Sequence, residues 1–325
     1  MSLDKHNPQG TTSFPASHRE LETTLHKSGR LSFARQAAAY LLLLRPKQWT
    51  KNLLLFAGLI FSYNLFQLPL VIAATLAFLI FCMLSGCVYI INDLLDIEED
   101  KKHPWKKYRP LAAGIIGTRQ ALIYLIVLLL ISLSLAWSIN ALFFLTALAY
   151  FALVVSYSLW LKFLVILDVF AIAFGFLLRA LAGAVAIAVS ISPWFLVCTL
   201  LLSLFLALTK RRQEAVTLAH NGLEHRKVLQ HYPLQYLDQL ISIVTAATII
   251  GYSLYTFTAS QSDLFMLTIP LVIYGIFRYL YLVHNKDLGE SPDEVLLQDR
   301  PLQGAVLLWV LASVLILYLE HGGVI

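Results

Sequence analysis

The chain has 325 residues, of which 59% are hydrophobic and only 13% are charged, and its mean hydropathy is +0.74. A typical soluble globular domain carries about twice that charged fraction, roughly 25%. The composition therefore excludes a soluble globule and predicts an all-α integral membrane protein that crosses the bilayer several times.

The first 35 residues differ from the rest because they are polar and contain no apolar core of the length that a secretory signal needs. We predict a disordered cytoplasmic tail over 1–35 and a single transmembrane domain over 36–325. The three cysteines, Cys82, Cys87 and Cys198, lie inside apolar runs without the paired spacing of a metal site, so we interpret them as core residues.

Nine apolar segments reach the roughly 20 residues that a membrane span needs. In chain order they are 36–63, 67–91, 119–137, 140–160, 163–189, 193–210, 236–260, 264–284 and 301–319. The first contains the polar string RPKQWTKN at 45–52, so it is compatible with a start as an interfacial helix.

Lysine and arginine are distributed unevenly among the connections. SYNLFQL, WSIN, SIS and SQSD contain neither, whereas the tail, the 92–119 loop, Lys162 and the loops at 210–235 and 285–300 hold nearly all of them. The positive-inside rule then predicts a cytoplasmic N-terminus, an external C-terminus and an odd number of spans. We expect a location in a plasma membrane of the bacterial inner-membrane type.

A run of carboxylates follows the second apolar segment, in INDLLDIEEDKKHPWKKYRP at 91–110. If the helix continues past Tyr89, Asp93, Asp96 and Asp100 share one stripe, and Glu98 and Glu99 point elsewhere. Oxygen ligands without Cys or His suit Mg²⁺, to which Asn92 could add an amide contact. The alternative interpretation is a solvated helix end followed by the basic residues of a cytoplasmic loop.

One arginine, Arg179, lies in the middle of the apolar string LDVFAIAFGFLLRALAGAV. A charge there costs about 2.5–3.5 kcal/mol on insertion scales, so it should face the bundle interior or a wet cavity. Asp168 and Gly175 share its helix face. We expect Asp168 to contact metal or a hydroxyl, Gly175 to give clearance and Arg179 to bind phosphate. The alternative is a buried Asp168–Arg179 pair that locks two helices.

Two further cytoplasmic corners carry cations, YSLWLK at 157–162 and TKRRQE at 209–214. Either string alone is the usual pattern at the cytoplasmic end of a membrane-spanning helix. Together with the carboxylates and Arg179 they indicate a site for a Mg²⁺-diphosphate, in which acids hold the metal and bases hold the oxygens. His220, His225 and His231 are spaced poorly for a metal site, and we interpret them as solvated.

Three motifs carry a resemblance to a known family: N-D-x-x-D-x-x-x-D at 92–100, K-x-x-R-P at 106–110 and Y-x-x-x-x-K at 157–162. Together they resemble the UbiA-type superfamily of intramembrane prenyltransferases, over essentially all of the chain after residue 36. The resemblance implies a nine-helix bundle around a central cavity open to the cytoplasmic side. It also implies Mg²⁺ bound by the three aspartates, with substrate bound by Asn92, Lys106, Arg109, Tyr157 and Lys162.

The chain departs from the superfamily after the sixth span, where typical members carry a second D-x-x-x-D motif. Here the string is TKRRQE, in which only Glu214 is acidic. Lys210 and Arg211 would convert a metal-binding site into an anion-binding site. With RPKQWTKN (which contains Lys47), DKKHPWKKYRPLAAG, GFLLRALAG and GESPDEVLLQDRPLQ, the chain is similar to the decaprenyl-phosphate phosphoribosyltransferase branch.

That branch implies a Mg²⁺-dependent transfer of 5-phosphoribose from phosphoribosyl diphosphate to a polyprenyl phosphate, with release of diphosphate. Asp93, Asp96, Asp168 and Arg179 would be catalytic, and Lys47, Gly175, Lys210 and Arg211 would bind substrate. One alternative is prenyl transfer to an aromatic or other small acceptor; another is a transporter or channel, which predicts broken helices or an inverted repeat. We expect a membrane-lipid environment and no nucleic-acid partner, and the sequence leaves the oligomeric state open.

Overall fold

The computed structural model describes residues 33–62, 64–221, 232–259, 263–285, 295–296 and 298–321. All regular elements in these ranges are helical. The α-helices are α1 Phe33–Leu43, α2 Ala57–Phe61, α3 Leu68–Leu95, α4 Ile97–Lys102, α5 Thr118–Ile139, α6 Ala141–Leu159, α7 Leu167–Ala186, α8 Pro193–Asn221, α9 Leu234–Ala259, α10 Ile269–Asn285 and α11 Arg300–His321. Short 3-10 helices cover Pro46–Phe56, Lys106–Tyr108, Leu161–Phe163 and Asp263–Thr268.

Eight helical segments of the described chain are long and apolar enough to cross a membrane. They are Leu68–Leu95, Thr118–Ile139, Ala141–Leu159, Leu167–Ala186, Pro193–Thr217, Leu234–Thr258, Asp263–Asn285 and Arg300–Leu319. These segments match eight of the nine predicted spans. The all-helical, multi-pass membrane architecture predicted from composition is thereby confirmed.

The ninth predicted span, 36–63, is not a single helix. It consists of α1, the Pro46–Phe56 3-10 helix and α2, with the break at Arg45, whose φ of 49° lies in the left-handed region. Pro46 follows, and the residue before a proline is biased away from the right-handed helical conformation. The polar string that interrupts the apolar pattern thus also interrupts the helix.

Polar side chains and prolines set several helix starts. Asn140 caps α6, since its Oδ1 accepts a hydrogen bond from Phe143 N at 2.7 Å. Asp299 does the same before α11, accepting from Leu302 N at 2.9 Å, and its carboxylate is also held by Arg278. Pro193 is the first residue of α8, where a proline loses no helical hydrogen bond.

The chain divides into two compact units. The first comprises Met1–Pro46 and Tyr89–Val127, whose described part holds α1, the end of α3, α4 and the start of α5. Tyr40 of α1 packs edge-on against Tyr124 of α5, with ring centroids 5.0 Å apart. This unit contains the predicted aspartate motif.

The second unit comprises Lys47–Val88 and Leu128–Ile325. Within it α6, α7, α8 and α9 pack successively in chain order, and α10 packs against α11. The Pro46–Phe56 segment approaches α7 closely at Gly183, where a Cβ atom would stand 1.9 Å from the Leu55 carbonyl oxygen. Because only glycine permits this approach, Gly183 fixes where the residues around Leu55 lie on α7.

Candidate active site

The aspartate motif spans a helix break rather than a continuous helix. α3 ends at Leu95, Asp96 has φ −99° and ψ 11°, and α4 begins at Ile97. The prediction of one uninterrupted stripe is therefore wrong in its helical register. Asp93 and Asp100 nevertheless both have buried side chains, each 3% exposed, while Asp96 is partly exposed and Glu98 and Glu99 are exposed.

Two arginines neutralise the buried carboxylates of the first unit. Arg109 Nη1 donates to Asp100 Oδ2 at 2.6 Å and to Asp93 Oδ1 at 3.2 Å. Arg45 Nη2 donates to Asp93 Oδ1 at 2.5 Å, and its guanidinium lies over the Tyr89 ring at 4.6 Å. We call Arg45, Asp93, Asp100 and Arg109 the first cluster. A cation thus stands between the two aspartates, as the mutual repulsion of buried carboxylates requires.

The donor set of the first cluster fits a hard cation such as Mg²⁺, because its ligands are carboxylate oxygens without Cys or His. In the present arrangement, however, no three His, Cys, Asp or Glu side chains of the described residues converge to hold a metal ion. Arg109 Nη1 bridges Asp93 and Asp100 instead. Asp93 and Asp100 are the side chains of this cluster that would hold such a metal, which would supply positive charge to a phosphate ligand.

The remaining predicted residues of the first unit lie nearer the surface. Asn92 is half-buried and Lys106 is exposed. Glu98, outside the buried pair, forms an exposed ion pair with Lys101 at 2.7 Å, and this hydrogen bond lowers the pKa of the Glu98 carboxyl. Asp93 and Asp100, which were predicted to share one stripe, are buried. Glu98, which was predicted to point elsewhere, is exposed.

A second cluster surrounds Asp168, near the start of α7. The Asp168 carboxylate is fully buried, accepting from Arg211 Nε at 2.7 Å and from the Tyr232 hydroxyl at 2.7 Å. Arg211, only 1% exposed, also pairs with Glu214 and donates to the Tyr157 hydroxyl at 2.9 Å. We call Tyr157, Asp168, Arg211, Glu214 and Tyr232 the second cluster.

The backbone beside Asp168 is held in an unusual conformation. Ile166 has φ 70°, which is a genuine outlier for a β-branched residue. Its N–H donates to the Tyr232 hydroxyl at 2.6 Å, so Tyr232 fixes both this turn and the Asp168 carboxylate. Burial, and then the hydrogen bond to Asp168, raises the pKa of Tyr232, so the hydroxyl remains a donor.

Arg211 does not form the open anion-binding site that the sequence predicted. Its guanidinium already pairs with two carboxylates of the second cluster, Asp168 and Glu214, which is why a cation can be buried so deeply. Lys210, the neighbouring predicted cation, is half-buried. Lys162 is also half-buried and lies over the Phe163 ring at 5.1 Å.

Arg179 lies in a third, largely neutral environment. Its Nε donates to Asn52 Oδ1 at 2.8 Å and its Nη2 to the Tyr150 hydroxyl at 2.7 Å. The alternative prediction of an Asp168–Arg179 pair is wrong, because Asp168 binds Arg211 and Tyr232 instead. Gly175 is buried on the same helix face, as predicted. Lys47, in contrast, is exposed.

Sequence reasoning missed five residues that organise these clusters: Arg45, Asn52, Tyr150, Glu214 and Tyr232. Arg45 and Asn52 lie in the RPKQWTKN string, from which only Lys47 was selected. Tyr150 precedes Tyr157 by seven residues, hence on the same face of α6, and this spacing was the available signal. Tyr232 follows a polar stretch of sequence and has no local signal. His225 and His231 lie outside the described residues, as does the His220 side chain.

Comparison with known proteins places this helical architecture in one class. A sequence model of the UbiA prenyltransferase family matches residues 52–296. The fold is also that of a UbiA homologue of Archaeoglobus fulgidus whose solved structure holds GPP and Mg²⁺, with a TM-score of 0.64 and 23% identity, over 86% of this chain and 99% of that one. The chain belongs to the UbiA prenyltransferase family.

Two relatives indicate the branch. The chain is 33% identical over 285 residues to a decaprenyl-phosphate phosphoribosyltransferase of Corynebacterium glutamicum, which covers 85% of this chain and 86% of that protein. It is also 33% identical over 286 residues to the enzyme of that name in Mycolicibacterium smegmatis, over 82% of this chain and 88% of that protein. The similarity spans most of the length of both chains, and the protein is an enzyme of the transferase class.

Proposed function

We propose that this protein transfers 5-phosphoribose from phosphoribosyl diphosphate to a polyprenyl phosphate and releases diphosphate. The observation that carries the proposal is the similarity, over most of both chains, to two proteins named for this type of transfer. The site chemistry supports it, because every component is a phosphate ester and the chain supplies both carboxylates and buried guanidinium groups.

In the first cluster, Asp93 and Asp100 would hold Mg²⁺, with Asp96 and Asn92 as further oxygen ligands. The metal, when bound, neutralises the charge that develops on the leaving diphosphate. Arg109, displaced from between the carboxylates, would contact the diphosphate oxygens, for which its planar fork is suited. Lys106, in the same unit, would add further positive charge on the approach of the donor.

In the second unit, the cations divide between structural and substrate-binding roles. Arg211 holds the Asp168 carboxylate and the Tyr157 hydroxyl in fixed positions, and the half-buried Tyr157 hydroxyl would contact a ribose hydroxyl. Lys162 and Lys210, both half-buried, would bind the 5-phosphate. Arg179, beside Gly175, would bind a phosphate group, since a buried guanidinium without a carboxylate partner favours an anion.

The reaction exchanges one bond at the anomeric carbon. The bond from this carbon to the diphosphate oxygen breaks, and its electron pair leaves with diphosphate. An oxygen of the lipid phosphate, anionic at neutral pH, forms the new bond on the opposite face. No proton needs to be removed from the nucleophile, so the reaction requires no general base. Cations near the departing oxygens stabilise the charge as the bond lengthens.

Prenyl transfer to an aromatic or other small acceptor is the second candidate. The family and the GPP held by the Archaeoglobus fulgidus homologue favour it. Against it, the second carboxylate pair here, Asp168 and Glu214, already has Arg211 as its cation. A second metal would therefore have to displace a buried arginine.

The two candidates are separated by one reconstitution. Purified protein in detergent or lipid receives ribose-labelled phosphoribosyl diphosphate and a polyprenyl phosphate, with and without Mg²⁺. The proposal expects a labelled, organic-soluble lipid only with Mg²⁺ present. In a parallel reaction with a labelled prenyl diphosphate and an aromatic acceptor, label transfer without formation of the ribosylated lipid in the first reaction would establish the second candidate instead.

A further inference from the structure

Arg179 carries a positive charge in the membrane-spanning helix α7. Its side chain is buried, with the residue 9% exposed, and its Nε and Nη2 donate to the neutral groups of Asn52 and Tyr150. The faces of the Tyr150 and Phe176 rings lie 4.7 and 5.2 Å from the guanidinium carbon. Within the described residues this cation has no ion-pair partner. A buried charge without a counter-charge is costly, so it needs another reason to be there.

The amide of Asn52 is held in one orientation. Asn52 is fully buried, and its Nδ2 lies 3.3 Å from Cys82 Sγ and 3.4 Å from Ser85 Oγ. Its Oδ1 is thereby turned toward Arg179. An aspartate at this position would have almost the same shape and would supply the missing counter-charge, but the chain has its neutral isostere. The guanidinium is thus oriented without being neutralised.

Space is available beside the third guanidinium nitrogen. Gly175 lies one helical turn before Arg179 and is buried. A Cβ atom on Gly175 would be 3.6 Å from Arg179 Nη1 and, leaving out the adjacent Phe174 and Phe176 and the helix's own backbone, within 4 Å of no other described atom. The missing side chain of Gly175 therefore leaves room on the side of Nη1, whereas Nε and Nη2 are bound to Asn52 and Tyr150.

We propose that Asn52 and Tyr150 are positioning residues that hold Arg179 as an uncompensated cation for one phosphate group of a substrate. This assignment rests on the proposed phosphoribosyl transfer and specifies how that site binds phosphate. The neutrality of Asn52 is the essential feature, because a carboxylate at this position would neutralise the positive charge of Arg179 that binds the phosphate. The phosphate belongs either to the soluble donor or to the lipid acceptor, which share this chemistry.

Asn52→Asp tests the proposal. The variant gains a buried ion pair with Arg179, so its thermal unfolding midpoint in detergent should equal or exceed that of wild type. Its affinity for one phosphate ligand should nevertheless fall by about a hundredfold, the effect expected when a buried charge contact is lost. Calorimetric titration with phosphoribosyl diphosphate and, separately, with polyprenyl phosphate shows which ligand is affected. The ligand whose affinity falls is the one that Arg179 binds.

Two further variants keep the test decisive. Arg179→Gln removes the charge while retaining a hydrogen-bonding head, and should give the same selective loss of affinity as Asn52→Asp, even if Asn52→Asp does not fold. Asn140→Asp is the matched control for the amide-to-carboxylate change: its Oδ1 still caps α6, and its lost Nδ2 hydrogen bond to the Val185 carbonyl can lower stability, but it should bind both ligands as wild type does. Wild-type affinity for both ligands in folded Asn52→Asp, or in Arg179→Gln, would overturn the proposal.

Failure of this assignment is distinguishable from failure of the proposed function. If wild type makes no ribosylated lipid but Asn52→Asp still loses affinity for a phosphate ligand, the phosphoribosyl transfer is wrong and the anion site stands. If wild type makes the lipid and Asn52→Asp does so with unchanged KM values for both substrates, the transfer stands and Arg179 has only a structural role.

Discussion

The buried arginines of this protein differ in what surrounds their charge. Arg211 lies between Asp168 and Glu214, whereas Arg179 is bound by an amide and a phenol. Arg109 is intermediate, because it bridges two aspartates from a partly exposed position. Sequence position alone predicted phosphate binding for all three. Only the identity of their partners separates a structural cation from one that is open to a ligand.

Removal of Arg211 should therefore reduce stability. Arg211→Gln leaves fully buried Asp168 without its cation, which costs roughly 3–5 kcal/mol. Arg212→Gln is a matched control, because Arg212 pairs with the exposed Asp238, and such a pair contributes about 0–1 kcal/mol. Thermal unfolding in detergent, followed by circular dichroism, measures both. Equal losses of stability in the two variants would contradict the structural role of Arg211.

The buried and exposed acids of the aspartate motif should also behave differently. Asp93→Asn or Asp100→Asn should reduce turnover by about two orders of magnitude, because a bound metal contributes several kcal/mol to the transition state. Glu98→Gln should change turnover less than about twofold, since it removes only a surface ion pair with Lys101. Steady-state turnover, measured at equal amounts of membrane-inserted protein, tests this prediction. A comparable loss of turnover in Glu98→Gln would exclude Asp93 and Asp100 as the metal-binding acids.

At the scale of elements, sequence predicted the long helices well because the bilayer imposes a minimum apolar length. Eight predicted spans agree with helices of the described chain. The failures occur where polar residues interrupt the apolar pattern: Arg45–Pro46 divides the first segment, and the chain breaks at Asp96. Apolar periodicity carries no information at such positions, so neither the break nor the true neighbours of Asp93 were predictable from it.

The approach of the 3-10 helix to α7 gives a prediction at the same scale. Gly183→Ala would place a methyl group 1.9 Å from the Leu55 carbonyl oxygen, so the two elements must separate, and Asn52 must move away from Arg179. We expect a lower unfolding midpoint together with weaker phosphate binding. Gly275→Ala is the control, because its Cβ meets no described atom within 4 Å, and it should stabilise helix α10 by up to about 1 kcal/mol.

A normal unfolding midpoint and normal phosphate affinity in Gly183→Ala would show that the close approach is not needed. If both glycine variants lose stability equally, the effect reflects substitution in a helix generally and not this contact.

For the whole molecule, sequence motifs identified the residues that carry charge but not their pairings. The motif at 92–100 and the YSLWLK string indicated the family, which the family model over residues 52–296 confirms. Asn52, Tyr150 and Tyr232 were not predicted because they come from segments far apart in sequence from Arg179 and Asp168. Such contacts depend on tertiary packing, which a single sequence does not display.

Chelation should abolish turnover without unfolding the protein. Helix content should not change on addition of EDTA, because the long helices are apolar membrane-spanning segments and do not depend on metal ligands. Activity should return when Mg²⁺ is added in excess. Circular dichroism and label transfer on the same samples measure both properties, and full activity in EDTA would refute the metal site.

The fate of each phosphate of the donor tests the central claim most directly. Phosphoribosyl diphosphate labelled separately in the 5-phosphate and in the β-phosphate is incubated with the purified protein, Mg²⁺ and unlabelled polyprenyl phosphate, and the phases are then separated. We predict that the 5-phosphate label enters the lipid phase and the β-phosphate label stays in water as diphosphate. Both labels in the lipid, or neither, would contradict transfer of 5-phosphoribose.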